Sequence, residues 1–213
     1  MDSNLKARAQ KIKLVIFDVD GVMTDGSLFI GDDGQEYKMF NTQDGLGMRL
    51  LKKSGVKLAI ITGRNSNSVL IRAENLEVDY FYQGISDKKE AFTDLIKKTG
   101  LKAEECAFMG DDIVDLPPML QSGLAITVPA GHDEVKKIAH FITEKIAGYG
   151  AVREACDFIM KAQGTYNSII EPYFKSLIAS RFYFLFSSLQ FWLLFLTGFK
   201  FPLKMRAKKE ETN

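Results

Sequence analysis

The sequence predicts an α/β fold: a doubly wound, mostly parallel sheet with a small β-hairpin insertion and no large cap domain. Three observations carry this. From residue 13 to about residue 164, short apolar runs alternate with stretches whose apolar residues recur at helical spacing. The apolar runs are continuous rather than alternating, the pattern of strands buried on both faces. The length, 213 residues, suits one such domain with a short appendage better than two full domains.

In chain order, Leu-Val-Ile-Phe at 14–17 is the first strand. Residues 27–40 hold two β-prone runs around Asp32-Asp33-Gly34 and read as a hairpin inserted after that strand. A helix follows at 46–53, then a strand at 57–61, and then helices at 66–75 and 88–99. Strands at 106–109 and 124–128 flank a helix at 114–122, and a last helix lies at 133–139. Gly55, Gly100 and Gly123 stand at or just past helix ends, where glycine commonly stops a helix. The domain is expected over 10–170, with an extension over 175–213.

Charge is balanced, with 28 Lys and Arg against 27 Asp and Glu, so an anionic ligand has to be bound by local chemistry rather than by a basic surface. Cys106 and Cys156 lack metal-site spacing, and His132 and His140 have no clustered partners, so all four are expected in structural roles. The charged N-terminus has no apolar core for secretion, so the body is expected in the cytoplasm.

Chemistry concentrates at strand ends. The first strand runs into Asp18-Val-Asp20-Gly, the second ends in Thr62-Gly63-Arg64, and a later one ends in Gly110-Asp111-Asp112 with Asp115 following. Each piece alone also reads as ordinary: a turn, an Asx cap, a solvated lysine at Lys88. Open parallel sheets bind ligands beyond the carboxyl ends of their strands, so all the pieces fall at one edge. Phosphoryl transfer needs such a set: a nucleophile, a cation, hydrogen-bond donors and a fixed positive charge.

These residues resemble the four motifs of haloacid dehalogenase-like phosphatases, a family with a Rossmann-like fold. Asn41-Thr-Gln-Asp44-Gly, Tyr82-Gln-Gly, Asp115-Leu-Pro and Gly148-Tyr-Gly-Ala-Val-Arg153 narrow the resemblance to the 3-deoxy-D-manno-octulosonate 8-phosphate phosphatases. The resemblance implies a magnesium-dependent phosphomonoesterase that acts through an aspartyl-phosphate, in lipopolysaccharide precursor synthesis. It makes Asp18 the nucleophile and Asp20 the general acid and base, and sets Thr62, Gly63 and Lys88 on the phosphoryl oxygens. Mg2+ would be held by Asp18, Asp111 and the Asp20 carbonyl, with Asp112 and Asp115 behind them and Asp112 orienting Lys88 or a metal water. Asn41, Asp44, Arg64 and Arg72 are candidates for the sugar acid. The resemblance also implies a homotetramer built through the hairpins, with Arg153 in a segment that closes a neighbouring site. Read by itself, 148–153 is a glycine-led helix start. A nonulosonate 9-phosphate phosphatase would share the catalytic motifs, and a retired, membrane-tethered scaffold would need none of them.

The resemblance does not reach the tail. Residues 182–199 carry no charge, just reach spanning length and are followed by a basic cluster. The denser positive charge lies beyond the apolar run, which fits a helix lying on a membrane surface better than one crossing it.

Overall fold

Apolar continuity in the short strands dictates the centre of the molecule. The structure, a computed structural model, describes residues 2–174. The 182–199 segment and the 175–213 extension therefore lie outside the described residues. Residues through Ile169 make up the unit that carries the fold and the cleft.

Helix α1 (Ser3–Gln10) precedes β1 (Leu14–Phe17). The hairpin strands β2 (Phe29–Ile30) and β3 (Glu36–Tyr37) follow, then α2 (Thr42–Lys53), β4 (Lys57–Ile61), α3 (Asn67–Asn75) and β5 (Tyr80–Tyr82). The second half comprises α4 (Lys88–Thr99), β6 (Cys106–Met109), α5 (Leu116–Gln121), β7 (Leu124–Thr127), α6 (Asp133–Ile138), β8 (Phe141–Ile142) and α7 (Ala151–Gln163). The main sheet is parallel throughout, in the order β5-β4-β1-β6-β7-β8.

Alternate strand residues enter two separate cores, as a period of two requires. Val15, Phe17, Leu58, Ile60, Ala107 and Met109 face the layer containing α2, α3 and α7. Leu14, Ile16, Ala59, Ile61, Cys106 and Phe108 face the layer containing α4, α5 and α6. Every residue of β1 is fully buried, and burying each large apolar side chain contributes roughly 1.5–3 kcal/mol.

Several elements differ from their expected extents. Helix α2 begins at Thr42 rather than 46, capped by Asn41, whose Oδ1 accepts from the Gln43 and Asp44 amides at 2.7 and 3.3 Å. Strand β5, strand β8 and helix α1 add to the expected set. The stretch at 114–122 is a 3-10 turn, Ile113–Asp115, followed by α5. The glycine-led helix start is there as α7, entered through Gly150 at φ 109°.

Both cysteines are buried and free. His132 caps α6, accepting from the Glu134 amide at 3.2 Å, and His140 accepts from the Ala125 amide at 2.9 Å, so both have structural partners.

Candidate active site

Strand register, rather than any single motif, assembles the site. Phe17 of β1 pairs with Ile60 of β4 on one side and with Met109 of β6 on the other. The residues that follow, Asp18, Ile61-Thr62 and Gly110-Asp111, therefore emerge along one edge. The connections diverge there, because β4 lies on one flank of β1 and β6 on the other, which makes the carboxyl end of β1 a topological switch point. The cleft at that edge is lined by Asp18, Asp20, Thr62, Gly63, Arg64, Lys88, Asp111 and Asp112, with Gly21, Asp25 and Ser86 among the others.

Lys88, the first residue of α4, is only 4% exposed and bridges two carboxylates, at 2.7 Å from Asp18 Oδ2 and 2.7 Å from Asp115 Oδ1. The other Asp115 oxygen accepts from the Asp111 and Asp112 amides at 3.0 and 3.3 Å. Asp115 is thus saturated and holds both Lys88 and the loop carrying Asp111. The Asp112 side chain caps its own turn by accepting from the Ile113 amide at 2.7 Å, so of the two tasks expected of it the holding of Lys88 falls to Asp115. Lys88 is oriented by Asp115.

Burial and then the neighbouring Asp115 charge push the Asp18 carboxyl up to about 7, against the opposing pull of Lys88. Burial, then Asp18 and Asp115, push Asp111 up to about 7 as well. Burial pulls Lys88 down, but the Asp18 and Asp115 charges outweigh it and hold the ammonium above its ordinary value. Concentrated negative charge of this kind invites a cation.

Asp18, Asp111 and Asp115 each offer an oxygen within 4.8 Å of the others. Asp111 Oδ1 is buried and has no hydrogen-bond partner among the described residues, whereas both Asp115 oxygens are engaged. A hard divalent cation that takes oxygen ligands and retains waters fits Asp18 and Asp111 best, with Asp115 behind them. Gly21 makes room for this approach: at φ 80°, a Cβ on it would lie 2.1 Å from Asp111 Oδ2.

Three of the expected sugar-acid residues, and Arg153 of the expected closing segment, do not line this cleft. Asn41 spends its side-chain oxygen on the α2 cap, and its carbonyl accepts from Arg72 Nη2 at 3.0 Å. Arg72 also lies over the Phe40 ring at 5.6 Å. Asp44 is buried and accepts from the Gly150 and Arg153 amides at 3.2 and 2.8 Å, tying α2 to the start of α7. The Arg153 side chain pairs with Asp157 at 2.8 Å. Within one chain these four build the frame beside the cleft, and Arg64 is the one sugar-acid candidate placed in it.

Two charged residues absent from the sequence expectations do reach the site. Lys38 forms ion pairs with Asp20 Oδ1 and, at 2.7 Å, with Glu36 Oε1, and Glu36 Oε2 accepts from Arg64 at 2.6 Å. The period of the hairpin strand was the available signal, since Glu36 and Lys38 share a face.

A family model described as haloacid dehalogenase-like hydrolase matches residues 34–123, a span that starts after Asp18 and Asp20. The 3-deoxy-D-manno-octulosonate 8-phosphate phosphatase KdsC of Escherichia coli BL21 is 41% identical over 164 residues, covering 77% of this chain and 87% of that protein. Its namesake from Yersinia pestis is 44% identical over 156 residues, covering 73% and 83%. Among solved structures, the 3-deoxy-D-manno-octulosonate 8-phosphate phosphatase of Moraxella catarrhalis, in complex with magnesium ion, phosphate ion and a KDO molecule, superimposes with a TM-score of 0.79. It is 41% identical and covers 81% of this chain and 99% of that one.

Proposed function

The chain belongs to the 3-deoxy-D-manno-octulosonate 8-phosphate phosphatases, within the haloacid dehalogenase-like hydrolases, and from that premise we propose that it hydrolyses this phosphomonoester to the free sugar acid and phosphate. One observation supports the reading above the rest: Asp18, Thr62, Lys88 and Asp111, from four separate segments, surround a single cleft at the switch point. The nine-carbon substrate is not favoured, since the relatives named above carry the eight-carbon name. A scaffold would have no use for a buried Asp-Lys-Asp arrangement.

In the proposed mechanism, a carboxylate oxygen of Asp18 attacks phosphorus and the bond to the sugar oxygen breaks. Asp20 donates its proton to that departing oxygen and later takes one from the water that cleaves the aspartyl-phosphate. Thr62 and the Gly63 amide donate to phosphoryl oxygens, and Lys88 opposes their charge while Asp115 keeps it in place. Asp18 and Asp111 would hold Mg2+, which would supply the positive charge that lets one anion approach another. Arg64 is the proposed partner of the sugar carboxylate, and Arg153 is assigned to closure of a neighbouring subunit's site.

The assembly proposed is a homotetramer. Support comes from the hairpin, whose Phe29, Ile30 and Tyr37 are 59%, 64% and 59% exposed, an apolar patch that a partner would cover. Among the described residues no helix is long and apolar enough to cross a membrane. The proposed surface contact of 182–199 is tested by deleting 175–213: phosphate release should persist while vesicle partitioning falls, and unchanged partitioning contradicts it.

Phosphate release across a panel of sugar phosphates, with and without chelator, tests the activity. The eight-carbon acid phosphate should have the highest kcat/KM and chelator should abolish it. Preference for another sugar phosphate, or chelator-resistant turnover, overturns the reading.

A further inference from the structure

The chain buries a lysine beside the cleft for which the mechanism above has no use. The Lys38 side chain has no accessible surface, yet it carries an ammonium against Asp20 Oδ1 and Glu36 Oε1. A charge withdrawn from water persists only where partners hold it, and both partners here are carboxylates of unequal standing. Glu36 is itself clamped by Arg64, so its side of the arrangement is fixed. Arg64 and then Lys38 hold the Glu36 carboxyl below its usual range, as a fully charged anchor. Asp20, by contrast, stands at the cleft with its side chain 24% exposed, and a short carboxylate at such a mouth samples several rotamers unless held.

The hairpin is shaped to deliver this contact. Asp33 Oδ1 accepts from the Gln35 amide at 3.0 Å, and the Gly31 amide donates to the Gln35 carbonyl at 2.8 Å, which closes the turn ahead of Glu36. From there the alternation of β3 sends Glu36 and Lys38 to the cleft side and Tyr37 outward, where it is 59% exposed.

We propose that Lys38 is a positioning residue: anchored by Glu36 and Arg64, its ammonium holds the Asp20 carboxyl group where the leaving oxygen departs. This rests on the reading of Asp20 as the general acid. A general acid works only within hydrogen-bond reach of the atom it protonates, so losing the tether costs most when the leaving group most needs a proton.

That dependence gives the test. kcat/KM is measured for the full chain with magnesium on aryl phosphates running from p-nitrophenyl to phenyl, which carry no sugar carboxylate and become progressively poorer leaving groups. This constant covers only the steps up to departure of the leaving group, so Asp20 enters it as an acid alone. For Lys38→Met, of similar length and without charge, the loss on phenyl phosphate should exceed the loss on p-nitrophenyl phosphate by at least about tenfold. Lys38→Arg should recover most of the difference. In an Asp20→Asn background the Lys38→Met substitution should add no further steepening. A loss equal across the series, or effects of the two substitutions that multiply, overturns the proposal. An unaltered series in Asp20→Asn alone removes the role of Asp20 and the proposal with it, and that result is distinct from a failure at Lys38. Lys38→Gln, which also removes the charge, carries the same comparison if Lys38→Met does not fold.

Discussion

Asp18 and Asp111 are placed where an uncompensated carboxylate is unwelcome. Folding raises both to about 7, chiefly through burial. A carboxyl raised on folding favours the protonated state, so its stabilising contribution is complete below the ordinary carboxylate range and is lost as pH climbs toward 7. Chelated protein should therefore lose thermal stability between about pH 4 and pH 7, and magnesium should restore it. Asp18→Asn should flatten the chelated curve. Melting midpoints across pH, with and without chelator, check this, and a chelated protein that gains stability over that window contradicts it. At this scale the sequence was most legible where a residue type and a strand end coincide, as at Asp18, Thr62 and Asp111. It was less legible where two acids of one motif compete for a task. Asp112 and Asp115 belong to one motif, and only the turn Ile113–Asp115, which aims Asp115 back at Lys88, separates them. Lys38 was missed because its pairing with Asp20 spans a hairpin and depends on register.

Secondary elements act here by bringing strand ends into line and by bracing α2 against α7. The four inner strands read clearly because burial on both faces leaves no polar interruption. β5 and β8 did not, since both are edge strands of two or three residues with partly exposed side chains. The first turn of α2 was hidden by Gly45 and Gly47, which lower helix propensity. Packing supplies what propensity lacks. A Cβ on Gly47 would lie 2.9 Å from the Arg153 Cα, so only glycine lets the two helices meet this closely. Asp44 locks the same contact by accepting the Gly150 and Arg153 amides. Asp44→Ala should thus destabilise the fold by on the order of 2–4 kcal/mol, because two amide donors lose their acceptor. Asp44→Asn, which keeps one acceptor oxygen, should lose less. Denaturant midpoints decide it, and an alanine variant within about 0.5 kcal/mol of the parent would refute the brace.

At the scale of the molecule, one α/β unit supplies the cleft, and its hairpin offers an apolar surface that no other layer covers among the described residues. Light scattering should give a tetramer, and Phe29→Lys with Tyr37→Lys should yield smaller species with lower activity. A fully active monomer would remove shared-site closure and the assignment of Arg153 to it. Strand-end chemistry let the residues that line the cleft be read from the sequence. The sugar-acid candidates were harder to place, since the types of Asn41, Asp44 and Arg72 suit a ligand and a cap or packing contact equally well, and within one chain they make caps and packing contacts.

The whole account rests on covalent attack by Asp18. Phosphate release from 3-deoxy-D-manno-octulosonate 8-phosphate by the full-length Asp18→Asn variant, with saturating magnesium and with folding verified by circular dichroism, probes it without intermediaries. Turnover should fall by at least about three orders of magnitude in a folded protein. Release within a few-fold of the parent rate would mean that the phosphoryl group never passes through position 18.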